Sequence, residues 1–159
     1  MKDYKYFLDE GIYDFQCGKY SEAIEKINKS LELKKDWEIP YFYRGVANQA
    51  LENFDEAILD YTKALEYNNK MTDAYFNRAK ILLSRKDIEN PDINRAINDL
   101  EKALELDPKF TDALYALAAA LKKQEKYQEC LKYLDRVLEI QPDFIYAKAL
   151  KKLILQKYL

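Results

Sequence analysis

Covalent or acid–base chemistry in this chain would have to come from two cysteines, Cys17 and Cys130, and from 28 carboxylates, because its 159 residues include no histidine. Without imidazole there is no Ser-His triad, no histidine general base and no histidine metal ligand. Two cysteines cannot build a zinc cluster or a disulfide framework. The carboxylates are spread along what read as helix exteriors. Glu22 and Lys26 stand four apart, as do Glu25 and Lys29, which is the spacing of helix ion pairs. No Gly-rich phosphate loop occurs. Cys17 lies three residues after Asp14 with no base at a fixed spacing, so a reactive thiol is not expected. The residue types therefore predict no catalytic, metal or cofactor site, and leave non-covalent binding of another protein as the function.

The elements that would position such a surface are helices. Apolar residues make up 48% and charged residues 34%, with three glycines and four prolines; so few helix breakers point to an all-α chain. Charge is nearly balanced, with 26 basic and 28 acidic residues. That balance gives no general attraction for phosphate backbones or anionic lipid. Arg is sparse, five against 21 Lys, which further disfavours nucleic acid. The N-terminus MKDYKYFLDEG lacks a signal-peptide apolar core, and the longest apolar run, Ala113 to Leu121, is too short to span a bilayer. A cytoplasmic protein with reduced thiols is expected.

The helices repeat. Small residues recur at Ala23, Ala57, Ala96 and Cys130, with gaps of 34, 39 and 34. A second small series is Gly11, Gly45, Ala79 and Ala118, and a bulky series is Trp37, Met71, Phe110 and Phe144. Pro108 and Pro142 also stand 34 apart. In each unit two short helices carry apolar residues at helical spacing, as in Ile24, Ile27 and Leu31. A small residue on each helix lets the two backbones approach. Cys130, in the alanine place, reads as a small buried apolar group. Pro108 and Pro142 stop the second helix of their units.

Three departures stand out. Five extra residues fall in Lys86–Asp92, where Asn90-Pro91 reads as an N-cap followed by Pro at the first helical position. Glu10 and Asp14 replace apolar residues in the first unit, as suits an end whose outer side meets water. After Phe144 a further helix is expected, with Ala147, Leu150 and Ile154 inward and Lys148, Lys151 and Lys152 outward. Lys152 stands where another unit would need Gly or Ala, so this helix should cap the array.

The pattern resembles the tetratricopeptide repeat (TPR) family. The resemblance rests on Tyr41, Arg44-Gly45, Ala57 and Tyr61 in the second unit, and on Leu114, Leu117-Ala118, Cys130, Leu134 and Pro142 in the fourth. It implies an all-α fold, an α-solenoid wound as a right-handed superhelix. Its units would be residues 4–37, 38–71, 72–110 and 111–144, with a capping helix over 145–159, in a single domain spanning 1–159. It also implies that the first helix of each unit lines a concave peptide-binding groove. Those positions are Leu8, Ile12 and Phe15 in the first unit, and Ile39, Phe42, Val46 and Gln49 in the second. Phe76, Lys80 and Leu83 follow in the third, and Tyr115, Lys122 and Lys123 in the fourth.

One TPR subclass grips a C-terminal carboxylate pair with a Lys/Asn/Lys/Arg set. At the matching places stand Leu8, Ile12, Tyr43, Asp73 and Asn77; none is positive, and Asp73 would repel a carboxylate. The expected ligand is instead a hydrophobic or amphipathic segment, unless the aliphatic stripe only packs helix on helix. Half-burying about six such side chains yields on the order of 5–9 kcal/mol gross, against about 4–15 kcal/mol for association. Lys80, Lys122 and Lys123 would therefore have to add pairing with acidic ligand residues. A monomer or weak homo-oligomer is expected, with no nucleic-acid or membrane partner. Two other readings are a self-assembling unit, joined through the first repeat or the C-terminal helix, and a bacterial secretion-chaperone-like protein. The latter would need a polar N-terminal arm before Tyr4.

Overall fold

The computed structural model describes residues 2–85 and 92–158. Among them are nine helices and no strand: α1 (Tyr4–Gln16), α2 (Tyr20–Leu33), α3 (Glu38–Ala50), α4 (Phe54–Tyr67), α5 (Thr72–Ser84), α6 (Ile93–Leu106), α7 (Thr111–Lys123), α8 (Tyr127–Ile140) and α9 (Ile145–Lys157). They fall into two compact units, residues 1–81 and 82–159.

In the first unit α1 packs on α2, α3 on α4, and α2 on α3. Glycine sets the closeness of the two pairs. A Cβ on Gly11 would stand 2.8 Å from Cγ1 of Ile27 and 3.1 Å from the Ala23 carbonyl oxygen. One on Gly45 would stand 3.0 Å from the Tyr61 ring. Facing these glycines, Ala23 and Ala57 are fully buried. Around the first contact Leu8, Ile27 and Leu31 form a core on which Ile12, Trp37 and Ile39 pack. Around the second, Ala57, Tyr61, Leu65, Ala74 and Ile81 form another.

Glu10 and Asp14 do not simply face water. Both meet the Lys26 ammonium on α2, at 3.3 and 3.4 Å. Asp3 accepts from the Tyr6 backbone N–H at 2.9 Å and so caps α1. Ser30, fully buried, donates to the Tyr4 carbonyl at 2.7 Å.

In the second unit α6 packs on α7, α7 on α8, and α8 on α9. Leu100, Leu114, Leu117, Ala118, Cys130, Leu134 and Val137 are all buried. Ala147 and Ile154 turn inward from α9, and Leu150 is half-buried, while Lys148 and Lys152 are exposed. α6 ends at Leu106 and α8 at Ile140, each two residues before a proline. The start of α6 differs from the sequence expectation. Its cap is Asp92, which accepts from the Arg95 N–H at 3.0 Å; the Asn90-Pro91 signal lies outside the described residues. Asp92 has the same ability to cap and stands directly before the apolar-periodic stretch.

The three described turns within helix pairs share one device. Gly18, Glu52 and Glu125 adopt φ of +76°, +60° and +59°. Each is followed by a residue whose N–H closes back on the preceding helix: Lys19 to the Asp14 carbonyl, Asn53 to Asn48 and Lys126 to Leu121, at 2.9 to 3.0 Å. This is the Schellman closure, which needs a left-handed residue and favours glycine. Glutamate holds two of the three positions at a cost of about 1–2 kcal/mol relative to an unstrained conformation.

Burial shifts two core groups. The Cys130 thiol is pushed up from 9.0 to about 11, chiefly by burial. The Tyr61 phenol also rises, for the same leading reason. Their neutral forms are the ones the fold accommodates. The associated stability is complete below the unfolded thiol value and is lost as pH rises through the folded one. Denaturation midpoints should therefore fall between about pH 9 and pH 11. Native thiol labelling at pH 8 should mark the exposed Cys17 and spare Cys130. Glu52→Gly and Glu125→Gly should each raise unfolding free energy by up to about 1 kcal/mol. Gly45→Val should lower it by about 1–3 kcal/mol, both read from urea titrations.

Candidate functional site

Residues of α3 and of the turn into α5 build a cleft in the first unit. Ile39, Phe42 and Tyr43 line one side, and Lys70, Met71, Thr72 and Asp73 the other; its volume is about 380 Å³. The turn is held locally. The Asn68 side chain accepts from the Lys70 N–H at 3.0 Å and its amide reaches Glu38 at 3.5 Å. The Met71 carbonyl accepts from the Ala74 N–H at 3.1 Å, opening α5. Phe42 rests edge-on to Tyr43 and tilted against Tyr61, with centroids 5.6 and 5.9 Å apart. Met71 packs on the core beneath. Lys70 and Asp73 are exposed at the rim. Such a cleft can hold an apolar side chain and read charge beside it. It presents no nucleophile paired with a base.

Of the residues expected to contact a ligand, several are spent within the fold. Leu8 is a core residue, 3% exposed, because it fills the α1–α2 contact beside Ile27 and Leu31; its assignment to a binding surface is corrected. Ile12 and Ile39 are half-buried against that core. Phe15 stands 5.5 Å from Tyr20 and 6.4 Å from Tyr43, centroid to centroid. Val46 packs on the Tyr61 core. Gln49 accepts the Tyr61 hydroxyl at 2.7 Å, so its amide already satisfies a buried group. Phe76 is half-buried, and the exposed Lys80 lies over its ring at 5.4 Å. Leu83 is half-buried, and its carbonyl accepts the Lys123 ammonium at 2.8 Å. Lys123 therefore serves the end of α5 before it serves any ligand. Lys122 is half-buried.

In the second unit Tyr115 belongs to a ring cluster that sequence reasoning missed. Its centroid is 5.3 Å from Phe144 and 6.3 Å from Tyr146, and Phe144 is 6.2 Å from Tyr146. Tyr146 is 70% exposed. The Tyr115 phenol is raised, first by burial and then by Tyr146. The repeat register could have found this cluster. Phe42, Phe76 and Tyr115 share one place in the unit, Met71, Phe110 and Phe144 another, and Asp73, Asp112 and Tyr146 a third. The same three places thus make an acid-rimmed cleft in one unit and an aromatic shelf in the other.

Comparison with known proteins agrees with this construction. Tetratricopeptide-repeat family profiles match residues 39–70 and 87–154, together more than half of the chain. The chain belongs to the tetratricopeptide-repeat family. Human tetratricopeptide repeat protein 12 is 34% identical over 79 residues, which are 50% of this chain and 11% of that protein. The chain thus spans about a tenth of the length of that relative. MamA from Desulfovibrio magneticus RS-1 superposes with a TM-score of 0.87, covering 97% of this chain and 85% of that one at 18% identity. The first TPR domain of Spaghetti (RPAP3), bound to the HSP90 peptide SRMEEVD, gives 0.71 over 77% and 94% at 24% identity. At these identities the structural likeness is one of fold. Both the repeats and the helix-only architecture place the chain among helical-repeat, protein–protein interaction modules. Among the described residues no His, Cys, Asp or Glu cluster could hold a metal, and no helix is long and apolar enough to cross a membrane.

A polar cluster in this TPR chain holds α3, and with it the cleft, in place. The Arg44 guanidinium donates through Nε to both oxygens of Asp60, at 3.1 and 3.0 Å, and through NH2 to one of them at 2.6 Å. Its NH1 donates to Asn28 on α2 at 2.6 Å, and Asn48 donates to Asp60 at 3.1 Å. Asp60 is 5% exposed. The cluster joins three helices, and Arg78, 34 residues on, repeats the outer half by donating to Thr62 at 2.9 Å. Removing one partner strands a buried charge, which typically costs about 3–5 kcal/mol. Arg44→Met should therefore lower the melting temperature by about 6–12 °C or more. The double variant Arg44→Met/Asp60→Leu should recover part of that loss in calorimetry, because no charge is left stranded.

Proposed function

We propose that the chain is a non-enzymatic, cytoplasmic adaptor whose first-helix faces bind a hydrophobic or amphipathic peptide segment. The four-unit register over 4–144 and the end helix over 145–159 belong to this reading. The observation that carries it is the cleft of Ile39, Phe42, Tyr43, Met71 and Asp73 in the first unit. An aliphatic or aromatic ligand side chain enters over Phe42 and Met71. Asp73 at the rim favours a basic or neutral neighbour, and Lys70, three residues before it on the same side, favours an acidic one, so the two give the segment a direction. In the second unit Tyr115, Phe144 and Tyr146 offer ring faces, and Lys122 a positive group, as a separate contact surface. Leu8, Gln49 and Lys123 drop out as direct contacts, since each already has an internal task.

The reading differs from carboxylate clamping. The RPAP3 domain is bound to SRMEEVD, a peptide whose C-terminal half carries three acidic residues. Here Leu8, Ile12, Tyr43, Asp73 and Asn77 stand at the places that the family resemblance assigns to a clamp, and Asp73 would repel a C-terminal carboxylate.

Peptide-array selection tests it. Selected peptides should carry a large apolar residue, need no free C-terminus, and exclude SRMEEVD. Phe42→Glu should remove capture while circular dichroism stays helical. Because Phe42 touches Tyr61, a second variant is needed: the exposed Asp73→Lys should shift selection toward acidic neighbours without altering stability. Unchanged selection by both variants would sink the reading.

A further inference from the structure

A second cleft lies in the other unit, on the α8–α9 side, far in chain position from the one above. This shallow depression is lined by Leu138 of α8 and by Lys148, Lys151, Lys152, Leu155 and Gln156 of α9; its volume is about 370 Å³. Leu155 is 50% exposed, and Leu138 half-buried. Among the described residues about half of the Leu155 surface is left open.

The charge around it is one-sided. From Ile145 to Lys157, α9 carries four lysines and no acidic residue. Lys151 is tied to Asp135 of α8 at 2.5 Å. Lys148 and Lys152 have no carboxylate within ion-pairing distance among the described residues. Lysine stems readily cover apolar surface while their ammoniums stay in water. The recess therefore presents carbon below and two uncommitted positive charges above. Its complement is an apolar side chain with carboxylates about one helical turn away, which is the pattern of an acidic amphipathic helix.

We propose that the Leu138–Leu155 recess, rimmed by Lys148 and Lys152, is a second docking site that takes an acidic amphipathic helix of a partner protein. A bilayer surface is the poorer occupant. The most exposed apolar residue of α9, Ile145 at 75%, points by helical spacing about a quarter-turn away from Leu155. A flat lipid surface would meet that face and leave the recess empty. The site is independent of the first-unit cleft, so the two proposals can fail separately.

The test uses the whole chain and a labelled synthetic helix with leucines at helical spacing and glutamates between them, read by fluorescence anisotropy. A glutamine-for-glutamate version is the control. Binding should be saturable, weaken with salt, and be absent for the control. Lys148→Glu/Lys152→Glu should weaken it at least ~10-fold, Leu155→Ala by about 3-fold or more, and Phe42→Glu not at all. All three substituted α9 side chains are exposed, so the fold should be untouched. Four results would each overturn the proposal: no binding of the acidic helix, equal binding by the charge-reversed variant, capture of phosphatidylserine vesicles that the probe does not compete with, or self-association by sedimentation that masks the recess.

Discussion

Two backbones lie closer together than side chains allow, and the rest of the fold accommodates that fact. At Gly11 an added methyl would meet Ile27 at 2.8 Å, and at Gly45 the Tyr61 ring at 3.0 Å. Interiors are close-packed and resist even one extra carbon. The partner helix must therefore be small at the point of approach, which Ala23 and Ala57 supply, and large one turn on, which Ile27 and Tyr61 supply. With that face of each first helix consumed, its other face has to serve either the neighbouring pair or an external partner. Tyr61 shows how the roles interlock. It fills the space under Gly45, supports Phe42, and has its buried hydroxyl satisfied by Gln49.

That competition between neighbour and partner decides which first-helix residues remain for binding. Leu8 is lost to the core, Gln49 to Tyr61 and Lys123 to the Leu83 carbonyl. Phe42 keeps part of its ring over a cleft because the α4–α5 turn, braced by Asn68 and Met71, stands back from it. Arg44, one turn along from Tyr41, is directed the other way, into Asp60 and Asn28. A charge pair this enclosed adds little net stability over apolar packing. Its five donors and fixed fork do specify the angle and register of α3, so it governs cleft geometry.

The helices, their pairing and their ends were legible because they rest on local chemistry. Periodicity, small residues in register, and Pro108 and Pro142 each act within a few residues of themselves. The start of α6 was misplaced by two residues because Asn90 and Asp92 are both competent caps. The left-handed turns at Glu52 and Glu125 left no signal, since the usual marker is glycine and only Gly18 carries it. Individual site residues were less legible for a physical reason. Register says which face a residue occupies but not whether a neighbour has already claimed its polar atoms. Gln49 and Lys123 illustrate the loss. Tyr146 illustrates a gain that the register did contain, as the aromatic successor of Asp73 and Asp112.

Succession at one register place is also how such a chain can differentiate its surfaces without disturbing its core. The packing positions tolerate little: Ala57, Ala96 and Cys130 are all fully buried and all small. The place held by Asp73, Asp112 and Tyr146 has no such restraint, and it changes from acid to exposed ring. On α9 the corresponding freedom goes further. Lys152 occupies a place where close pairing needs Gly or Ala, and a four-carbon stem with an ammonium cannot enter such a contact. A helix cannot approach there as closely as Ala23 approaches Gly11, and among the described residues Leu155 beside it is exposed. Lys152 thereby sets a positive charge beside an apolar side chain. One side chain thus bears both on how closely a neighbour can pack and on the charge beside Leu155.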